Sequence, residues 1–255
     1  MFGEIFNLIY YPLFNLMVFF YNVIPPHDIG ISIILLTIFV RLVLYPMNSK
    51  SIKSQKKLQE IQPLMKEIQT KYKDDKEKQA KKLMELYQKH KINPLSGCLP
   101  ILIQLPILIA LYQVFLNGFK DESLAIVYSF IGNPGHIDPM FLGFVNLSET
   151  NFVLALMAGI FQYFQTKMLM GNKAAEKKEE DNNTEKTKEE KTQDFAQSMT
   201  KQMMYIMPVM TFFFAMSFPS GLALYWVVTT IFAIIQQILI MKKQDKEKVQ
   251  VMVIN

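Results

Sequence analysis

Cysteine, arginine and tryptophan each occur once in 255 residues, and histidine three times. A lone Cys98 cannot close an internal disulfide, and its apolar neighbours mark it as a small packed hydrophobe rather than a reactive thiol. His27, His90 and His136 are scattered, so with one cysteine they offer no metal-ligand spacing. No glycine-rich phosphate loop is present, and no metal or other cofactor is expected. Charge is missing in a more telling way. Several windows of 15 to 22 residues hold almost none, while the lysines crowd between them. That distribution excludes a collagenous, disulfide-rich or wholly disordered chain and describes a polytopic, all-α membrane protein.

The first 28 residues carry Glu4 and Asp28 but no Lys or Arg, so they lack the positive n-region of a secretory signal. Asn7, Tyr11, Asn15 and Asn22 recur at spacings of four, four and seven and line one helical face. The stripe predicts that residues 1–28 form an amphipathic helix lying in the membrane interface. Pro25-Pro26 then precedes a first transmembrane helix over residues 29–47. Residues 48–93 are charged. Residues 94–170 hold a second span, Gly97 to Leu116, an extracytoplasmic loop, and a third span, Phe152 to Met170. Residues 171–200 read as a disordered cytoplasmic linker, because they are Lys, Glu, Asn and Thr with almost nothing apolar. Residues 201–241 hold the fourth span, Gln202 to Phe218, and the fifth, Gly221 to Met241, and residues 242–255 form a short tail. Pro100, Pro106 and Pro208 lie inside these spans and require neighbours that satisfy the freed carbonyls, hence a packed bundle.

Lysine sets the orientation. Asn48 to Asn93 holds 13 Lys, Gly171 to Lys201 holds seven and the tail four, whereas Asn117 to Asn151 holds only Lys120. The lysine-rich segments belong in the cytoplasm, which with five spans puts the N-terminus outside and the C-terminus inside.

Within 48–93, Leu58, Ile61, Met65, Ile68 and Tyr72 step by three and four, as do Ala80, Leu83, Tyr87 and His90, with Lys73-Asp74-Asp75 between the runs. This predicts an antiparallel helical hairpin with one apolar seam, kinked at Pro63, whose 13 Lys face six acids. Its basic outer faces suit anionic headgroups, a ribosome surface or acidic peptide rather than a specific nucleic-acid sequence. In the loop 119–150, Asn133-Pro134-Gly135 and Asp138-Pro139 demand turns, and Ser123 to Ile131 has the makings of a short surface helix.

The sharpest feature is Arg41, the one arginine beside 26 lysines, placed inside the first span. Six residues before Met47, Arg41 lies about 9 Å along the helix from its cytoplasmic end, where a charge costs about 2.5 to 3.5 kcal/mol on insertion scales. Such a cation faces a partner or a polar cavity, and the spans contain no Asp or Glu. They do offer neutral polarity: Gln104 in the second, Gln162, Gln165 and Thr166 in the third, Thr211 in the fourth, and Thr229, Thr230, Gln236 and Gln237 in the fifth. Gln162 and Gln165 share a face, as do Thr229 and Gln236. A cation ringed by amides and hydroxyls forms a hydrated positive pocket; simple interhelical hydrogen bonding is the other reading of each glutamine.

Three runs carry a resemblance. Arg41-Leu-Val-Leu-Tyr-Pro46, Asn93-Pro-Leu-Ser-Gly-Cys-Leu-Pro-Ile-Leu-Ile-Gln-Leu-Pro106 leading to Ala110-Leu-Tyr112, and Phe218-Pro-Ser-Gly-Leu-Ala-Leu-Tyr-Trp226 ending at Gln236-Gln237 resemble the YidC family of membrane protein insertases. The resemblance spans about residues 29 to 241 with order and spacing intact. It implies five spans around a hydrophilic groove open to cytoplasm and lipid but closed outside, with Arg41 inside it. It also implies that Trp226, Gln162 and Gln165 are groove-lining candidates. On this reading the chain is a non-enzymatic insertase and chaperone of the bacterial cytoplasmic membrane. Its partners would be nascent membrane proteins and lipids, with the ribosome and Sec translocon delivering clients. Family members often carry Asn where this chain has Thr230, and the large extracytoplasmic domain of the Gram-negative members is not expected in the N-terminal region.

Rival classes fare worse. A small polytopic transporter would want a repeat or an intramembrane carboxylate, and neither is visible. An intramembrane serine protease needs a histidine deep in a span. A membrane scaffold built on the hairpin would leave Arg41 without a role.

Overall fold

The computed structural model describes residues 2–93, 99–118, 120–170 and 205–254. The linker proposed over 171–200, the start of the fourth span at Gln202, and Cys98 lie outside the described residues. The elements in chain order are α1 (Phe2–Val23), α2 (Ile29–Val43), α3 (Tyr45–Lys71), α4 (Lys76–Lys89) and α5 (Leu99–Asn117). A 3-10 turn (Asp121–Ile126) and a hairpin of β1 (Met140–Phe141) and β2 (Val145–Asn146) follow. The chain then forms α6 (Phe152–Met170), α7 (Tyr205–Met216) and α8 (Ser220–Ile254). They fall into two compact units, Met1–Val43 with Gln104–Ile234, and Leu44–Ile103 with Ile235–Asn255.

Long apolar runs make helices here because no water in a bilayer can take the backbone polar groups, so each segment must satisfy its own. Among the described residues, Phe152–Leu169 and Ser220–Lys242 are each long and apolar enough to cross a membrane. A third span results if α2 and α3 count as one broken crossing, and α5 and α7 contribute shorter apolar helices.

The core of the first unit is built from one face of each helix: Phe14, Met17 and Val18 of α1, Ile29, Ile33 and Leu36 of α2, Leu111, Val114 and Phe115 of α5, and Leu222 and Tyr225 of α8. Small residues set the α6–α7 approach. Ala155 and Ala158 are buried, and a Cβ on Gly159 would come within 3.2 Å of the Pro208 carbonyl oxygen. The opposite face of α6 leaves Phe152, Leu156, Ile160 and Phe164 exposed at helical spacing. Such a stripe suits lipid rather than water.

Two members of the α1 polar stripe bond the backbone of the 119–150 connection. Asn15 Nδ2 donates to the Ile126 carbonyl at 3.1 Å while its Oδ1 accepts from the Tyr128 N–H at 2.6 Å, and Asn22 Nδ2 donates to the carbonyls of Ile131 and Gly132. In the 119–150 connection, a 3-10 turn over Asp121–Ile126 stands where a short helix over Ser123 to Ile131 was expected, and Ser129 and Phe130 sit in a turn. The expected turns are there: Gly135 N–H bonds Asn133 Oδ1, Met140 N–H bonds Asp138 Oδ1, and Leu142 and Gly143 at positive φ close the β1–β2 hairpin.

Two helix boundaries depart from the expectations. The first apolar helix ends at Val43 rather than Met47, and α3 starts at Tyr45. Pro46 explains the break, because it has no N–H for the Leu42 carbonyl and its ring would clash there; in the first turn of a new helix it costs nothing. α3 then runs unbroken past Pro63. At the other end, α8 continues through the tail to Ile254.

In the second unit, α3 and α4 pack on each other. Asp75 caps α4 by accepting from the Lys78 N–H at 2.9 Å, Gln79 Nε2 donates to the Gln69 carbonyl, and the Tyr87 hydroxyl lies 3.9 Å from Met65 Sδ. Lys71 and Lys78 both stand over the Tyr72 ring.

Candidate functional site

Arg41 lies in the last turn of α2, two residues from its end, so about 3 Å of helix lies beyond it rather than the 9 Å expected of a helix to Met47. The shorter helix also supplies a term that spacing could not: a cation in the last turn is favoured by the free carbonyls and the helix dipole. The guanidinium finds its partner on α5. Arg41 Nη2 donates to Gln104 Oε1 at 3.1 Å, and Gln104 Nε2 donates onward to the Tyr225 hydroxyl at 2.6 Å. Three helices are thereby joined through one amide. No carboxylate pairs with Arg41 among the described residues.

Gln104 can do this because its amide is both acceptor and donor: the oxygen takes the cation and the nitrogen is left to donate. Tyr225 is 2 % exposed, so its hydroxyl needs a partner inside the protein. Sequence reasoning passed over Tyr225. The signal available was its position beside Trp226, one residue off a face already singled out, with an O–H in an otherwise apolar helix turn.

A second group of bonds ties α6 to α8. Trp226 Nε1 donates to Gln162 Oε1 at 3.2 Å, and Gln162 Nε2 reaches Thr166 Oγ1 at 3.3 Å. Phe214 of α7 lies against the Trp226 ring, 5.9 Å between centroids. Gln165, on the same side of α6 by spacing, is part-exposed and makes no hydrogen bond among the described residues. Thr230 donates to the carbonyl of Trp226 at 2.8 Å, so its hydroxyl is satisfied by its own helix. Thr229 Oγ1 is buried and has no hydrogen-bond partner among the described residues. Of the predicted residues, Arg41 meets Gln104, and Trp226 meets Gln162.

Gln236 belongs to the second unit, although seven-residue spacing puts it on the helix face of Thr229. Its Nε2 donates to the Tyr45 carbonyl and to Ser49 Oγ, both at 3.0 Å. It thus satisfies backbone at the start of α3, just past the break at Leu44, in a side chain 2 % exposed. Gln237 beside it reaches Met241 Sδ.

Residues 19–248 match the family described as 60Kd inner membrane protein. A protein of Fusobacterium nucleatum named membrane protein insertase YidC is 38 % identical over 216 residues, 85 % of this chain and 87 % of that one. The chain belongs to the YidC family. A YidC relative from Oceanobacillus iheyensis is 35 % identical over 86 % of this chain and 77 % of its own length. Another, from Geobacter metallireducens, is 34 % identical over 89 % of this chain but only 35 % of its own length. YidC membership and the apolar helices make this chain a multi-pass, all-α membrane protein.

Proposed function

We propose that the chain is a membrane protein insertase and chaperone of the bacterial cytoplasmic membrane, with five spans around a positively charged hydrophilic groove open to the cytoplasm and to lipid. The N-terminus lies outside and the C-terminus inside, and residues 1–28 lie in the interface. A nascent client enters with its short polar tail beside Arg41, and its apolar segment leaves sideways into the bilayer. The observation that carries the reading is the Arg41–Gln104–Tyr225 chain: the cation is held by a neutral amide, so its charge is left for a guest. Gln162, Gln165, Trp226 and Thr229 supply further lining, whereas Thr230, expected there, is buried and bonded to its own helix, and Gln236 steadies the helix break.

Magnitudes favour a passive mechanism. An Asp at the bilayer centre costs about 3 kcal/mol and a Leu returns about 0.5, so a client span of about 20 apolar residues offsets two or three tail acids. A hydrated positive groove lowers the first cost during passage, and burial of apolar surface drives release without a covalent step. The basic faces of α3 and α4 suit the receiving role for clients delivered by a ribosome or the Sec translocon.

The test is protease protection of a single-span client with a short acidic N-tail, offered to proteoliposomes holding only this protein. Protection above empty liposomes is expected, with Arg41→Ala cutting it several-fold more than Arg41→Lys. Equal activity of the two variants would refute the charged groove. No protection by folded protein would refute autonomous insertion.

A further inference from the structure

The β1–β2 hairpin ends in two exposed apolar side chains. Leu142 is 55 % and Phe144 72 % exposed, on a turn of three residues. An exposed aromatic on a floppy loop would mean little, but this turn is held from several sides. Asp28, at the start of α2, accepts from the Ile31 N–H with Oδ1 and from the Leu142 N–H with Oδ2, the latter at 2.6 Å. The Phe141 ring occupies the space beside Gly30, where a Cβ would collide with it. On the other strand, Ser220 Oγ donates to the Asn146 carbonyl, and the N–H groups of Ser220 and Gly221 donate to Glu149 and Leu147. α6 begins six residues after β2. The hairpin is therefore fixed at the level where α2, α6 and α8 begin, all within one compact unit.

α6 and α8, the two described helices long and apolar enough to cross a membrane, both begin at that level. The apolar stripe of α6 starts there at Phe152 and continues through Leu156 and Ile160 to Phe164, all exposed, so a lipid-facing surface adjoins the hairpin in sequence. An aromatic side chain at the boundary between headgroups and acyl chains is in its preferred place. From Asp121 to Thr166 there is no Lys or Arg, whereas Asp138 and Glu149 flank the hairpin. Attraction to anionic headgroups is excluded as the cause of contact.

We infer that the tip of the β1–β2 hairpin, Leu142 and Phe144, is a fixed lipid anchor seated in the leaflet at which α2, α6 and α8 begin. By the orientation proposed above this is the extracytoplasmic leaflet. The occupant of the apolar tip is lipid, and contact depends on apolar burial rather than headgroup charge. The inference rests on the apolar helices and not on insertase activity. The anchor would hold the ends of three helices at one depth while a client passes.

The experiment uses the full chain in liposomes with Cys98→Ser as background. Phe144→Cys and, separately, Leu142→Cys carry an environment-sensitive NBD label, and Glu122→Cys is a water-exposed control on the same connection, so mixed orientation cancels. Melting curves and Trp226 emission show which labelled proteins are folded, and the two tip positions back each other up. Iodide quenching at the tip should fall about threefold or more below the control, because an interfacial aromatic exchanges water for lipid. Nitroxide lipids should quench the tip strongly, equally in phosphatidylcholine and in mixtures with phosphatidylglycerol. Iodide quenching equal to the control would overturn the anchor. Protection from both quenchers would overturn it too, since a protein surface, such as a second copy, would then cover the tip. Dependence on phosphatidylglycerol would overturn the apolar account.

Discussion

Replacing Gln104 by Leu tests the Arg41–Gln104–Tyr225 chain directly. The side chains are close in volume, so the cavity or overpacking contribution is small. Two hydrogen bonds are lost, the 3.1 Å bond from Arg41 and the 2.6 Å bond to Tyr225. A bond to a charged group contributes about 1.5 to 3 kcal/mol and a neutral one about 1, so the expected loss is about 3 kcal/mol. For a chain of this size that lowers the melting temperature by about 6 to 12 °C. The decisive assay is a double-mutant cycle in nanodiscs with Arg41→Met, at one fixed scan rate. If the amide serves the guanidinium, Gln104→Leu costs about 1.5 to 3 kcal/mol less in the Arg41→Met background. A coupling under about 0.5 kcal/mol would show the two sites to be independent and would refute the argument that Arg41 depends on this amide. Arg41→Lys, measured beside the cycle, separates charge from geometry, since it keeps the charge but loses the planar fork that reaches Gln104.

Two further outcomes follow from contacts elsewhere. Gly30→Ala puts a Cβ into the Phe141 ring, so it should destabilise by about 1 to 3 kcal/mol, and Phe141→Leu should restore most of the loss in thermal melts. Trp226 is the one tryptophan, and its indole N–H bonds Gln162, so Gln162→Leu should shift its emission and cost about 1 kcal/mol, while Gln165→Leu, with no such bond, should leave the emission in place.

Much of the candidate site could be read as a list of residue types but not as a set of pairs. A cation without an acid in reach had to find a neutral acceptor, and that follows from composition alone. Which amide it finds does not. Gln104, Gln162, Gln165 and Gln236 look alike in a one-dimensional reading, each an amide in an apolar helix. In the folded chain one holds Arg41, one accepts from Trp226, one makes no hydrogen bond among the described residues, and one secures the backbone at Tyr45. Thr229 and Gln236 show the limit of periodicity: seven residues put them on one helix face, yet they belong to different units.

By itself, then, the sequence determined what each segment had to be. Long apolar runs had to form helices, because unpaired backbone is intolerable in lipid. Asn133-Pro134-Gly135 and Asp138-Pro139 had to turn. Those are local constraints, set by a few neighbouring residues. Tertiary structure decided what met what. Gln104 reaches Tyr225 across 121 residues, and Asn15 and Asp28 reach loop backbone across 113 and 114. Such contacts depend on the relative register of helices, on ångström shifts that leave hydropathy and periodicity unchanged. The same physics explains Tyr225, whose hydroxyl gained its importance only when packing placed it beside an amide nitrogen with a hydrogen to donate.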